Sequence, residues 1–340
     1  MSHDAQLTPI ADGLYAWLPD GRGSWGLANC GLLVSGDQAA LVDTPYDLPH
    51  TRALLAACAP VLETAAARIG TAITTHSNGD HSFGLVALDD DVEIIGTEDY
   101  LHALEHEPTP GQMEQLIHRM PQDQPTTWYL RRHFGHFDFS GLDVVPPTRT
   151  FAGELDLRIG RAEVRLVQAG PAHTDGDLWV HLPEHGVVFT GDLVFSDNHP
   201  VHWAGPIDNV IDACRRILDT GAEVIVPGHG PVLTPAGLRS HLDYLGWVRD
   251  RAHQLHTQGV PAASAAVHLI DSGRYAGLGL PERLAITIAT EYRHLEGRTG
   301  TPDLVGLVDS AARIALSRED ARIPGPRSAA EDSSNAAPPQ

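Results

Sequence analysis

Lysine is absent from all 340 residues, so every basic side chain other than histidine is arginine. The 23 arginines face 44 carboxylates, for a formal net charge of −21. Nucleic-acid surfaces need clustered cations, so no nucleic-acid partner is expected. Cysteine is nearly absent as well. Cys30, Cys58 and Cys214 are an odd number, widely spaced, without a CxxC pair. That argues against a disulfide framework and fits a reducing cytoplasm, with each thiol read as a small buried hydrophobe. No apolar run approaches the roughly 18 residues that span a bilayer, so no membrane partner is expected. Met-Ser-His-Asp-Ala-Gln offers neither the basic nor the apolar part of a secretory signal, which again points to the cytoplasm.

What is present is a chain of ordinary apolar content, 42%, long enough for one large domain or two average ones. Its focus is Thr-Thr-His-Ser-Asn-Gly-Asp-His-Ser-Phe-Gly, residues 74–84. A β-prone run at 68–74 leads into this loop, where His76, Asp80 and His81 are spaced as metal ligands. Imidazole and carboxylate at such spacing suit a borderline-soft divalent cation. Upstream, residues 7–18 and 26–44 read as strands, including a hairpin about Ser35-Gly36-Asp37 that ends at Asp43-Thr44-Pro45. Residues 50–67 read as a helix. Strands follow at 92–96, 154–158, 162–167, 178–182, 186–190 and 222–226. Helices are expected at 98–106, 110–120, 206–220 and 235–258, with two or three more to about 317. The Pro- and Ser-rich stretch 324–340 reads as a disordered tail.

His76, Asn78, Asp80, His81, His173, Asp192 and His229 each sit in a Gly- or Pro-flanked loop just past an expected strand. One histidine among 20 carries little weight. Four separate loops supplying ligand types in a fixed order carry much more. His133 and His136, three apart across Gly135, fit no metal template and are read as surface or pocket wall. Asp89-Asp90-Asp91 reads as a solvated turn.

The order His-x-x-x-Asp-His, then His, Asp and His, strongly resembles the metallo-β-lactamase superfamily over roughly residues 10–245. The resemblance implies an α/β fold, a four-layer αββα metallo-β-lactamase sandwich, with a metal cleft along one edge. The implied organisation is a superfamily domain at 7–250, carrying a helical and aromatic insertion at 97–140 over the site, and a helical extension at 251–320. The metal ligands it implies are His76, Asp80, His81, His173, Asp192 and His229. Asp80, His81 and His229 form one site with Asp192 bridging, and His76 and His173 belong to the other. Asn78 stands where a third imidazole is usual. A neutral carboxamide is a weak donor, so one strong zinc site and one weak or empty site are expected, with iron and manganese as the other metals.

A narrower likeness, carried by 201–206, 226–231, Pro281-Glu282-Arg283 and 291–295, is to actinorhodin-type aromatic polyketide cyclase-thioesterases. It implies a small-molecule, carrier-protein-tethered substrate that is cyclised or released from its thioester, by metal-activated water or a metal-polarised carbonyl. Asp80 and His76 are the catalytic candidates. Trp25, Trp128, Tyr129 and Trp203 are candidate walls for a planar apolar substrate. The alternatives are a lactonase or glyoxalase-II-like thioesterase on small substrates, and a metal-poor binding protein. A homodimer is left open.

Overall fold

The computed structural model describes residues 5–121, 123–298 and 302–320. The tail expected at 324–340 lies outside the described residues. The first sheet runs in chain order through β1 (Gln6–Ala11), β2 (Leu14–Leu18), β3 (Cys30–Ser35), β4 (Gln38–Val42), β5 (Arg68–Ile73), β6 (Glu93–Thr97) and β7 (Arg149–Phe151). It is antiparallel as far as β4 and parallel from there to β7. The second sheet holds β8 (Glu154–Ile159), β9 (Ala162–Gln168), β10 (Leu178–Leu182), β11 (Val187–Phe189) and β12 (Val224–Val226). Only β11 and β12 pair parallel within it.

Period-two alternation sorts the apolar side chains between two interfaces. Leu33, Ala40, Val42 and Ile73 of the first sheet meet Leu166, Leu178, Val180 and Phe189 of the second. The opposite face of the first sheet, with Leu32 and Leu41, packs on Leu54 and Cys58 of α1 (Leu48–Ala65). Next in the chain come α2 (Gly79–Ser82), α3 (Glu98–Leu104), α4 (Pro110–His118) and α5 (Pro125–Phe134). Then α6 (Ile207–Asp219) and α7 (Pro235–Thr257) cover the outer face of the second sheet, where Val188 and Ile225 meet Val210, Ile211 and Leu245. The result is helix, sheet, sheet, helix, the four-layer sandwich.

Three details differ from the sequence reading. The segment 26–29 is not strand, because its backbone bonds out of the sheet: the Asn29 amide donates to Gly228 at 2.7 Å. The aromatic stretch after Met120 forms α5, whose inner face carries Tyr129, Leu130 and Phe134. Residue 250 is no boundary, since α7 continues to Thr257. Beyond it, α8 (Ala262–Asp271) and α9 (Leu284–Leu295) share one apolar core with α6 and α7. The last described helix, α10 (Leu304–Asp320), packs on α5, where Thr126 donates to Asp309 at 2.9 Å and Arg132 pairs with Glu319. All three cysteines are free and buried. Among the described residues no helix is long and apolar enough to cross a membrane.

Candidate metal centre

The centre forms where four strands end on the same side. β4, β5, β11 and β12 deliver Asp43, His76, Asp192 and His229, while α2 carries Asp80 and His81. Asp43 organises the first half. It sits at φ 60°, a left-handed conformation uncommon outside glycine, which turns its carboxylate under the histidine loop. Oδ1 accepts the Thr75 amide at 2.7 Å, and Oδ2 accepts the Thr75 hydroxyl at 2.8 Å and His81 Nδ1 at 2.9 Å. The same hydroxyl oxygen accepts from His76 Nδ1 at 3.0 Å. One carboxylate thus fixes two imidazoles, one directly and one through a threonine. Such outer partners set the tautomer and aim of ligating histidines.

The other two rings are aimed by backbone. His173 Nδ1 donates to the Val201 carbonyl at 2.6 Å, and His229 Nδ1 to the Leu27 carbonyl at 3.0 Å. Every ring therefore rests its Nδ1 against an oxygen and turns its Nε2 inward. His81 Nε2 lies 3.4 Å from His229 Nε2 and 3.2 Å from Asp192 Oδ1. Asp192 Oδ2 lies 3.3 Å from His229 Nε2 and 3.4 Å from His173 Nε2, and Asp80 Oδ2 is 3.4 Å from His229 Nε2. His76 Nε2 and Asp192 Oδ1 are buried without a hydrogen-bond partner. Buried polar atoms are rarely left so, and lone pairs this close repel without a cation between them. The donors fall into two groups, His76–His173–Asp192 and Asp80–His81–His229, each with its ligand atoms within 4.8 Å of one another. The donor set fits a divalent cation of the zinc, iron or manganese type. Gly228 is required here, since a Cβ on it would lie 1.9 Å from Asp192 Oδ1.

Electrostatics follow the geometry. Against the cost of burial, His229 and His81 hold Asp192 well below the usual carboxylate range. Against the same cost, the bond from His229 and the charge of His81 hold Asp80 down at about 2. Asp192 and Asp80 in turn overcome burial to push His229 up to about 9. Burial and the neighbouring His81 lower His76, and burial lowers His173.

Asn78 occupies the remaining place around the His76–His173 group. Its Nδ2 donates to Glu107 Oε1 at 2.8 Å, which leaves Oδ1 facing inward, 2.7 Å from His173 Nε2. Glu107, from the linker between α3 and α4, went unnoticed in the sequence because no local pattern marks it. Burial pushes its carboxyl up to about 7.

A cleft opens on Asn78, Asp80, His173, Asp192 and His229, with Trp25, Tyr129, Phe134 and Trp203 among its walls. Three of the four expected aromatics thus gather there. Trp128 does not: helix neighbours point about 100° apart, so with Tyr129 turned inward Trp128 lies half-exposed under the Arg132 guanidinium at 5.5 Å. Trp25 Nε1 donates to the Tyr129 hydroxyl at 2.9 Å, which donates to Glu282 Oε1 at 2.8 Å, tying three distant segments together. His133 is buried behind this wall against Tyr129 rather than on the surface, while His136 is exposed against Phe137. His76 is fully buried and does not line the cleft, so it is a candidate ligand and not a group that reaches substrate. Asp43 and Thr75 were also missed as orienting residues. Asp43 had a signal, a carboxylate at a strand end before proline, but Thr75 had none.

Comparison with known proteins places the fold. The chain is 28% identical over 165 residues to the acyl-coenzyme A thioesterase MBLAC2 of Gallus gallus, a match to 46% of this chain and 55% of that protein. It thus spans about half the length of that curated relative. A metallo-beta-lactamase from Pontibacter korlensis superposes with a TM-score of 0.53 at 19% identity, over 72% of this chain and 99% of that one. A double mutant of the sec-alkyl sulfatase PisA1 superposes with a TM-score of 0.65 at 15% identity, over 87% of this chain and 51% of that one. At such identities these two likenesses concern the fold alone. Residues 23–229 match the family model of the metallo-beta-lactamase superfamily. With its sandwich, its ligand loops and this match over more than half its length, the chain belongs to the metallo-beta-lactamase superfamily.

Proposed function

We propose that this chain is a metal-dependent hydrolase of thioesters that carry an apolar acyl group. The observation that carries the reading is the aromatic cleft opening directly on the metal-ligand cluster. Likeness to an acyl-coenzyme A thioesterase supports the thioester. Trp25, Phe134 and Trp203 take the acyl chain out of water, worth about 25 cal/mol per Å² of apolar surface covered. Asp80, Asp192 and the four imidazoles hold the cation, more firmly in the Asp80–His81–His229 group than beside the carboxamide of Asn78. A divalent cation held there supplies Lewis acidity, drawing electron density from a carbonyl oxygen and making water a nucleophile near neutral pH. Asp80 is the ligand whose side chain is partly exposed, at 17%. It also lines the cleft, so its role is to orient the attacking water.

The test is thiol release from coenzyme A and N-acetylcysteamine thioesters of increasing acyl length. Turnover should rise with chain length and stop with chelator. Lactone turnover without thioester turnover would overturn the reading. The aromatic walls of the cleft, Tyr129, Phe134 and Trp203 among them, support a second reading in which a ketone-rich, polyketide-like chain closes into a ring. Loss of water from such a substrate, read by mass, distinguishes it from hydrolysis.

A further inference from the structure

Arg283 is a large side chain in an unusual place. It lines the cleft, yet only 1% of its surface is exposed. Its Cζ lies over the Trp25 ring, 3.9 Å from the centroid, and over the Phe195 ring at 5.4 Å. Nη1 donates to the His199 carbonyl at 3.3 Å, and Nε is buried without any partner. Among the described residues no carboxylate oxygen lies within 4.0 Å of it, and adjacent Glu282, which accepts from the Tyr129 hydroxyl, acts on it through charge alone. A guanidinium carries five donors in one plane, and stacking on ring faces satisfies none of them. A buried charge normally has a counter-ion, because desolvation is costly. Here the nearest carboxylates, Glu282, Asp192 and Asp80, act on the guanidinium through their charge and form no ion pair with it, so Nε is left without a partner.

The surroundings hold the group in that state. Leu280, a residue with a Cβ, adopts φ 55° at the entry to the Pro281–Arg283 turn. Its neighbour Gly279 is pinned on both sides: its amide donates to Asp197, and its carbonyl accepts from His199, each at 2.8 Å. Backbone strain of this kind persists where the surroundings over-determine it, often at ligand sites. Phe195 lies between Arg283 and the metal centre, stacked on His229 with 8° between planes. The guanidinium is therefore separated by one ring from a metal-ligating imidazole. An anion paired with Arg283 is not the reacting carbonyl.

We propose that Arg283 forms an anion subsite in the aromatic cleft, and that the substrate carries a carboxylate, or a compact anion of similar shape, on its apolar body. The guanidinium edge pairs with that carboxylate while the aromatic walls hold the apolar chain. Net charge of −21 gives an anion no long-range attraction, so its recognition depends on this local contact. The proposal deepens the thioesterase reading by naming a feature of the acyl group, but its binding test stands apart from that reading.

The test is calorimetry on the metal-loaded full chain with 3-phenylpropanoate and with its amide. The wild type should bind the carboxylate about 30-fold tighter, the scale of a charge-assisted pair. Arg283→Met should bring that ratio to within about three-fold of unity. A wild-type ratio near unity, or no binding of the acid, overturns the proposal. So does an unchanged ratio in Arg283→Met, since the acid would then be bound by the metal. Should Arg283→Met fail to fold, Arg283→Lys is read instead. Lysine keeps the charge but lacks the planar fork, so the ratio should fall about five-fold, and no fall overturns the proposal. A kinetic arm compares the adipoyl half-thioester with the hexanoyl thioester of the same thiol, where the acid should have the lower KM in the wild type and lose that advantage in Arg283→Met. If neither thioester turns over, the hydrolase reading fails and the binding arm still decides the subsite.

Discussion

The two halves of the metal centre share a scaffold and differ in one donor. Asp43 aims His81 directly and His76 through Thr75, so a single carboxylate serves both. Asp192 also serves both, with Oδ1 toward His81 and Oδ2 toward His173 and His229. On one side Asp80, His81 and His229 are all strong donors. On the other, His76 and His173 stand beside a neutral carboxamide that Glu107 holds in place. The half beside Asn78 is as well organised as the other. Its two rings are buried, aimed and bonded, and Asn78 has an orienting partner of its own. The difference is therefore confined to one side chain and can be manipulated there.

The largest effect comes from removing what the halves have in common. Asp192→Ala should strip metal from both and lower kcat/KM by about 10³-fold or more, since a shared ligand and the charge it balances go together. Metal analysis beside kinetics reads this directly. Splitting the halves should then expose the asymmetry. His81→Ala should cost nearly as much, while His76→Ala should cost about ten-fold, in line with loss of a tuning group rather than the main cation. Equal losses in the two variants would erase the comparison.

Much of this contrast was legible in the chain, and the reason is local. The ligands cluster at strand ends, and the run at 74–84 carries three of them with Asn78 in one short loop. The turn residues Ser35-Gly36-Asp37 likewise marked the hairpin that β3 and β4 form. Glu107 and Arg283 were different. Their roles come from contacts over long separations, Glu107 with Asn78 and Arg283 with Trp25 and His199. No periodicity encodes such contacts, so Glu107 went unremarked in its linker and Pro281-Glu282-Arg283 carried a likeness without a role for the arginine. Trp128 failed for the opposite reason. Its neighbour Tyr129 took the inward face of α5, and which of two adjacent aromatics does so depends on the helix phase, not on composition.

The next two effects are smaller and act on the weaker half alone. Asn78→His should raise bound metal toward two per chain and increase turnover of a simple thioester about ten-fold, by restoring a full imidazole donor. A fall in turnover with full metal content would show that the carboxamide has a purpose of its own. Glu107→Ala frees the Asn78 amide to rotate. It should weaken metal binding in the His76–His173 group by about ten-fold, the usual cost of losing an outer partner. Affinity at Asp80–His81–His229 should not change, and calorimetric titration resolves the two sites.

The smallest effect is a proton count, and its sign follows from the electrostatics of each half. In metal-free protein Asp192 and Asp80 overcome burial to raise His229 to about 9, and Asp192 and Asp43 likewise raise His81. With its value near 9, His229 is protonated at pH 8 and must release that proton before its Nε2 can bind metal. His76 and His173 are lowered, chiefly by burial, so at pH 8 they are already neutral. Filling the Asp80–His81–His229 group at pH 8 should therefore release protons, and filling the other group should release none. Calorimetry in buffers of different ionisation enthalpy measures this. The same shift carries a stability signature in the metal-free protein. A histidine raised from 6.5 to about 9 stabilises the fold fully below pH 6.5 and ceases to do so as pH rises through about 9. That loss is on the order of 3 kcal/mol for the His229 shift. Metal-loaded protein should not lose it, because there the cation takes the place of the proton. If both forms decline alike between pH 6.5 and 9, the carboxylates do not hold a proton on His229, and the two halves are electrostatically equivalent.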